Sequence, residues 1–520
     1  MAGAAAGAGR SEASTRGLIT ISIMLATVMS SLDTTIANVA LPHIQGSVSA
    51  SQDQITWVLT SYIVAAAIMT PLTGWLAGRI GRKLVFLVSV GGFTCASALC
   101  GLAGSLVEIV LFRLLQGLFG AALIPLSQAV LLDINPPEKH GQAMAVWGAG
   151  AILGPILGPA LGGWLTDNLS WRWVFFINLP VGIMAFTGIF LFIKEHKQAQ
   201  LRPFDFFGFA TLAVAIGALQ LFLDRGQTQD WFSSMEVQIE CAVAALSFFL
   251  FIVQMTTAKR PFVDASLFLD GNFVTATIFG FFIGILLFSS LALLPPFMEN
   301  LLGYSVVTTG VVSVPRGLGS FVAMFAVGQL VGRMDVRLIL LIGLFFTALS
   351  AWQMSQFTLV MTAVPIMISG VCSGLGTGLI FVPLSTLAFA TIAPEKRTEA
   401  AGLFTLSRNI GSSAGISIMT ALLSRNTDIV HSQLVEHIRP DNPLAHPPFV
   451  SSMMTFASQR GLALFDALAT RQASMIAYID DFTLMLWITI LALPMLLLMR
   501  PPKRAKGGKP EGPDTHAAFE

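Results

Sequence analysis

At 520 residues, 54% hydrophobic and only 11% charged, with a mean hydropathy of +0.76, the chain is far from the roughly 25% charged make-up of soluble domains and reads as a polytopic membrane protein. Its net charge of +1, with no basic helix outside the loops, excludes nucleic acid as a partner. The four cysteines fall in apolar runs without paired spacing, and the histidines lie in loops, in the tail or at the end of the first apolar run, so neither a disulfide framework nor a metal site or metalloenzyme is expected.

Residues 1–17 read as a cytoplasmic tail, because the apolar stretch that follows is too long for the core of a signal peptide. Cuts at charged and turn-forming clusters give apolar segments near 18–42, 54–77, 84–104, 106–132, 142–166, 171–193, 204–223, 236–257, 273–297, 306–331, 337–355, 359–390, 400–423 and 478–499. Each holds the roughly 20 residues that about 30 Å of hydrocarbon requires, which predicts an all-α membrane protein of about fourteen helices. Placing the N-terminus inside puts 20 of the 29 Lys and Arg residues, including every lysine, on the cytoplasmic side. Both termini are then cytoplasmic.

The first segment has one ionisable side chain between Leu18 and Pro42, Asp33. An acid at that depth is costly, and it reads either as a helix-end residue or as a proton or substrate site. At the end of the second segment, G-W-L-A-G-R-I-G-R-K over Gly74 to Lys83 forms a glycine-rich turn with Arg79, Arg82 and Lys83 at the surface. It serves as a gate latch that pairs with acids, or only as a topology anchor. The fourth segment carries Arg113 in R-L-L-Q-G. A rise of 1.5 Å per residue puts Arg113 about 10 Å and Asp33 about 13 Å below the same face, so the two are placed to pair, for function or for structure.

In the fifth segment Gly150, Gly154, Gly158 and Gly162 recur every fourth residue, beside Pro155 and Pro159. This stripe lets another helix approach backbone to backbone, and a gating interface between two bundles is favoured over ordinary packing. Arg316 and Arg408 are intramembrane cations that either face a cavity suited to anionic substrates or bond carbonyls freed by Pro315 and the stretch Gly411 to Gly415. Together with Asn38, Gln116, Gln128 and Asn409 they make up the candidate substrate cavity. Glu240 is a weaker acid candidate, and Asp480 and Asp481 are the one adjacent pair of acids. The segment 424–477 is expected to be a long external loop, docking a partner or disordered.

An internal repeat organises these features. Gly74 to Arg79 recurs as Gly328 to Arg333, Pro125-Leu126-Ser127 as Pro383-Leu384-Ser385, and Pro137-Glu138-Lys139 as Pro394-Glu395-Lys396, at offsets of 254, 258 and 257 residues. An even number of spans separates the copies, which is a parallel duplication with expected rocking of two bundles about a midplane site. The division that follows is a tail at 1–17, an N-terminal six-helix bundle at 18–200, an inserted two-helix hairpin at 201–260, a C-terminal six-helix bundle at 261–499 and a cytoplasmic tail at 500–520.

The stretches L-D-T-T-I-A-N-V-A-L-P at 32–42, R-L-L-Q-G at 113–117, the glycine-proline ladder at 150–163 and W-R-W-V-F-F-I-N-L-P-V-G at 171–182 resemble the fourteen-helix drug/proton antiporters of the major facilitator superfamily. L-D-R-G at 223–226 and D-W-F-S-S at 230–234 are similar to its EmrB branch. The resemblance implies that Asp33 takes part in proton coupling, Arg113 in its relay, and Gly154, Pro155, Gly158 and Pro159 in the antiport gate. It also implies export of hydrophobic drugs, an EmrA-like periplasmic adaptor, an outer-membrane channel and a bacterial inner-membrane location. One departure is Gly78, where the superfamily usually carries Asp, which puts an acid-dependent latch within that loop in doubt.

The expected function is therefore proton-coupled multidrug efflux, powered by a gradient because no ATP-binding loop is present, with no cofactor and no enzymatic step. The alternatives are an exporter of a siderophore or lipid-like metabolite, or a membrane-embedded lipid-modifying enzyme, for which Asp480 and Asp481 are the sole clustered acids.

Overall fold

The computed structural model describes residues 2–195, 203–331, 333–439 and 458–499. Helices carry the whole architecture. Among the described residues the nearest approach to a strand is one isolated bridge between Val331 and Met334.

The N-terminal half contains α1 (Ala2–Val48), α2 (Trp57–Met69), α3 (Leu72–Ile80), α4 (Arg82–Leu102), α5 (Leu106–Gly120), α6 (Leu123–Ile134), α7 (His140–Asn168) and α8 (Asn178–Phe192). Two further helices, α9 (Phe206–Arg225) and α10 (Met235–Thr257), pair with each other. The C-terminal half contains α11 (Gly271–Pro296), α12 (Val306–Leu330), α13 (Val336–Met354), α14 (Ala363–Ala390), α15 (Arg397–His437) and α16 (Gln459–Ala492). Local chemistry sets several boundaries. Pro71 has no amide hydrogen to continue a helix, and α2 and α3 meet there at a 55° bend. Gly81 takes φ +93° between α3 and α4, a turn that a side chain would strain. Ser105, Asp270 and Ser305 cap α5, α11 and α12 by accepting from their first free amides.

Among the described residues twelve helical stretches are long and apolar enough to cross a membrane, or thirteen with α2 and α3 as one bent span. The apolar segment 400–423, thirteenth of the fourteen, lies inside α15, which is more polar than the others. It packs against α11, α16, α6, α3 and α9, so protein meets its serines where other helices meet lipid. One expectation needs correction. Residues 424–477 are not a loop throughout, because α15 runs on to His437 and α16 starts at Gln459. These projecting turns are polar and invisible to a hydropathy cut, yet they stay in contact, with His431 Nε2 3.0 Å from Asp466 Oδ1. Residues 440–457 and the tail 500–520 lie outside the described residues.

Both halves follow one packing order. α1 lies against α7 and α8, α2 against α5, and α4 against α5 and α8; in the second half α11 lies against α15 and α16, α12 against α14, and α13 against α14 and α16. The halves meet mainly where α7 packs on α12 and α14, and where α3 and α6 pack on α15. α9 leans on α2 and α15, and so touches both halves. Thr60 of α2 bonds the Asp224 carboxylate, while Gln220 Nε2 donates to Ser413 Oγ at 2.8 Å.

Candidate functional site

Asp33 is wholly buried on α1, and three donors from two other helices close on it. Arg113 Nη1 donates to Oδ2 at 2.7 Å, and Gln116 Nε2 and Asn178 Nδ2 each donate to Oδ1 at 2.8 Å. Arg113 and Gln116 are three residues apart on α5, hence on one face, and Arg113 Nη1 also donates to Gln116 Oε1 at 2.8 Å. The guanidinium is held further by the Val58 carbonyl at 3.1 Å and by the Tyr62 ring, whose centre is 4.3 Å away. Asn178 opens α8 and donates also to Ser97 Oγ of α4 at 3.0 Å. Four helices thus converge on one carboxylate, and removing any donor leaves a buried charge short of a partner.

The glycine stripe of α7 lies directly behind this cluster. A Cβ on Gly154 would come within 2.5 Å of the Leu32 nitrogen, one on Gly158 within 2.8 Å of Thr35 Cβ, and one on Gly162 within 3.0 Å of Ile36. Across the same contact Ser31 Oγ donates to the Ala151 carbonyl at 2.5 Å and Thr35 Oγ1 to that of Gly154 at 3.0 Å. The stripe therefore faces α1 of its own bundle, not the other bundle as the sequence suggested. Pro155 and Pro159 stand within α7 between these contacts. The seam between bundles uses another face of the helix. There Gly148 abuts Met324, Gly141 abuts Val331, and Trp147 stacks on Phe381 of α14 with ring centres 5.5 Å apart. Arg408 lies over that same Phe381 ring at 5.5 Å.

At the end bearing the loop lysines, Arg82 pairs with Asp133 of α6, and its Nη2 donates to the Pro394 carbonyl of the second half at 2.6 Å. Arg397 Nη1 reaches Asp133 Oδ1 at 3.1 Å from the other side. Gly74 admits the backbone of Glu399, whose Cα would be 2.7 Å from a Cβ placed there. Of the three cations in the turn, only Arg82 crosses between halves. Lys83 donates to the Phe190 carbonyl within its own half at 2.8 Å, and Arg79 is exposed beside Trp75. Gly78 faces open space, and Asp133 supplies the acid that the turn lacks.

The other candidate residues do not gather into one cavity. Gln116 belongs to the Asp33 cluster. Gln128 is buried on α6 with neither end of its amide partnered. Arg316 donates to Ser290 Oγ at 2.9 Å and to the Leu287 carbonyl at 3.3 Å, while Arg408 Nε is buried without a hydrogen-bond partner. Asn409 is half-buried and Asn38 exposed. Glu240 sits 3.5 Å from Arg225 at the end of the α9–α10 pair. Asn178, Asp133 and Trp147 were missed by sequence reasoning. Asn178 and Trp147 had a signal, a polar or amphipathic side chain in an otherwise apolar run. Asp133 had none beyond its place at a span end.

The sequence matches the Major Facilitator Superfamily over residues 23–416. It is 36% identical over 431 residues to the multidrug export protein EmrB of Haemophilus influenzae, covering 82% of this chain and 84% of that one. It is 34% identical over 494 residues to the protein of the same name from Escherichia coli, covering 94% and 96%. Among solved structures, the proton:xylose symporter XylE superposes with a TM-score of 0.59 at 13% identity, over 94% of this chain and 100% of that one, a likeness of fold alone.

Proposed function

The chain belongs to the major facilitator superfamily, as a multi-pass membrane transporter of the EmrB multidrug-export type and not an enzyme, and we propose that it couples drug export to inward proton flow at Asp33. The observation that carries this reading is the position of Asp33 with its back to the glycine stripe. Ser31 and Thr35 flank it on α1, and both bond α7 carbonyls. α7 in turn bears the seam to α12 and α14. Any rocking of the bundles that shifts α7 is therefore felt at the carboxylate and its three donors.

The Arg82–Asp133–Arg397 end faces the cytoplasm in this reading of a bacterial inner-membrane protein, with both termini on that side, and the lysine-rich loops at that end support it. The two halves are latched at that end, so this conformation is closed toward the cytoplasm. Outside protons then reach Asp33, and its protonation weakens the hold of Arg113, Gln116 and Asn178. The cluster loosens α1 from α7, the latch opens, and drug from the cytoplasm or inner leaflet enters between the bundles. Gln128, Arg316 and Arg408 are the polar groups offered to it, and the two cations favour weakly acidic, apolar compounds. The energy source is the proton gradient, and no cofactor takes part.

Proteoliposomes with an imposed pH gradient test this directly. Asp33→Asn is expected to lose uphill transport while retaining drug binding, and uphill transport at the wild-type rate overturns the role of Asp33. The projecting ends of α15 and α16 are the surface for a periplasmic adaptor that leads to an outer-membrane channel. Deleting 430–470 is expected to abolish adaptor binding and leave liposome transport intact; retained binding removes this docking site.

A further inference from the structure

α16 carries a second acid deep in the protein. Asp481 is 1% exposed, and its Oδ2 is buried with no hydrogen-bond partner. α16 runs from Gln459 to Ala492, and Asp481 lies on it near the outer end of the apolar span that begins at 478, about three turns before the helix ends. A buried acid that no neighbour satisfies calls for an explanation, and intramembrane acids typically mark substrate or proton paths.

Its place in the bundle repeats that of the first site. α16 packs on α11 and α13 as α8 packs on α1 and α4, and Asp481 and Asn178 each lie about three to four turns before their helices end. The repeat offsets carry Asp33 to 287–291 on α11, where Ser290 stands and receives Arg316. Where the first half has acid, arginine and amide on α1, α5 and α8, the second has hydroxyl, arginine and acid on α11, α12 and α16, its arginine coming from the counterpart of α2 and not of α5.

Beside Ser290, and one turn of α16 beyond Asp481, is a cavity of ≈ 30 Å³ lined by α11, α13, α14 and α16, room for about two waters. Ser290, Thr347, Ser350, Ser373, Thr377 and Thr489 line it with hydroxyls. Thr489 and Met485, also in its wall, share a stripe of α16 with Asp481 at four-residue spacing. Both the cavity and the acid are absent from the mechanism above.

We propose that Asp481 is a second proton-binding carboxyl of the exchange cycle, taking up and releasing one proton through the hydroxyl-lined cavity that leads to Ser290 and Arg316. This rests on the proton-exchange reading above. Few other charges bear on the site. On α16 itself they are Asp480, which is exposed, Arg471, which donates to the Leu301 carbonyl at 2.8 Å, and, on its projecting turns, Arg460 and Asp466; Tyr478 is the neighbouring phenol. From α13 the ionisable group is Arg337, bonded to the Met499 carbonyl at the far end. Beyond the end of α11 stands Glu299. α15 offers Arg408, over Phe381, and, on its projecting turns, Arg425, Asp428, His431, Glu436 and His437.

The test counts protons per substrate in reconstituted full-length protein, with entrapped pyranine for protons and Nile red as the transported probe. Asp481→Asn is expected to lower the ratio about twofold, from about two to about one, with transport still driven by the pH gradient. An unchanged ratio overturns the proposal, whatever happens to stability. Wild-type protein that moves Nile red without protons overturns the exchange reading itself and is recognised before any variant is compared. Should the Asn variant not fold, Asp481→Glu serves instead, keeping the ratio and shifting a titrating carboxyl band in the infrared spectrum. A titrating band that does not shift assigns the proton elsewhere and overturns the proposal.

Discussion

In the first bundle an arginine, a carboxylate and two amides close on one another within 2.8 Å; in the second, Arg316 finds only a serine and a carbonyl, Arg408 Nε has no partner, and Asp481 Oδ2 has none either. The helix packing is the same in both, so the difference lies in side chains alone. A duplicated scaffold has kept its close helix contacts, glycine against backbone at Gly154 in one half and at Gly284 and Gly415 in the other, while its buried charges diverged. One half holds a buried ion pair with three donors on the acid, and in the other the buried arginines and the buried acid do not pair.

Breaking the satisfied cluster has the largest expected effect. Arg113→Ala strands a buried carboxylate and is expected to cost about 3–5 kcal/mol of stability, measured as loss of thermal resistance in detergent, with most of it restored by adding Asp33→Ala. A double variant no better than the single would mean that the pair is not the unit that matters.

Gly154→Val comes next. The added side chain meets the Ser31–Leu32 backbone, so α1 and α7 must separate, at about 1–3 kcal/mol and with loss of transport. Wild-type transport by this variant would show that the contact between α1 and α7 transmits nothing.

Arg316→Met sharpens the contrast between bundles. It gives up hydrogen bonds to Ser290 and Leu287 but no ion pair, and a cost of about 1 kcal/mol is expected, well below that of Arg113→Met. Equal costs would erase the distinction.

The smallest effect belongs to the connection between α10 and α11, outside the membrane helices. Burial pushes the Asp264 carboxyl up, but hydrogen bonds from Lys396 Nζ and from Ser266, with the charge of Lys396, outweigh it and hold the group below the usual carboxylate range. A depressed acid stabilises the fold at all pH values above its unfolded pKa of about 4, and that stability is lost only as pH falls toward the lower folded value. Lys396→Met should therefore cost under about 1 kcal/mol, since the pair is partly exposed, and the cost should be the same at pH 7 and at about pH 5. A cost already gone at pH 5 would contradict the pairing.

Much of this was written in the chain itself. Run lengths marked out the membrane helices, the 254–258 offsets marked the duplication, and the helical rise alone brought Asp33 and Arg113 to one depth. What a helix presents around its axis was decided by its neighbours. The glycines of α7 mark a close approach without naming its partner, and only the fold assigns them to α1. Asn178 and Gln116 became part of the acid's shell because α8 and α5 turn that face inward. The turns beyond 423 are polar and read as loop, since hydropathy registers burial in lipid and not helix paired with helix. Asp481 is the sharpest case, lying at a span edge by composition and inside a helical bundle once α15, α13 and α11 have closed around it. Depth follows from counting residues, but burial and partnership follow from packing.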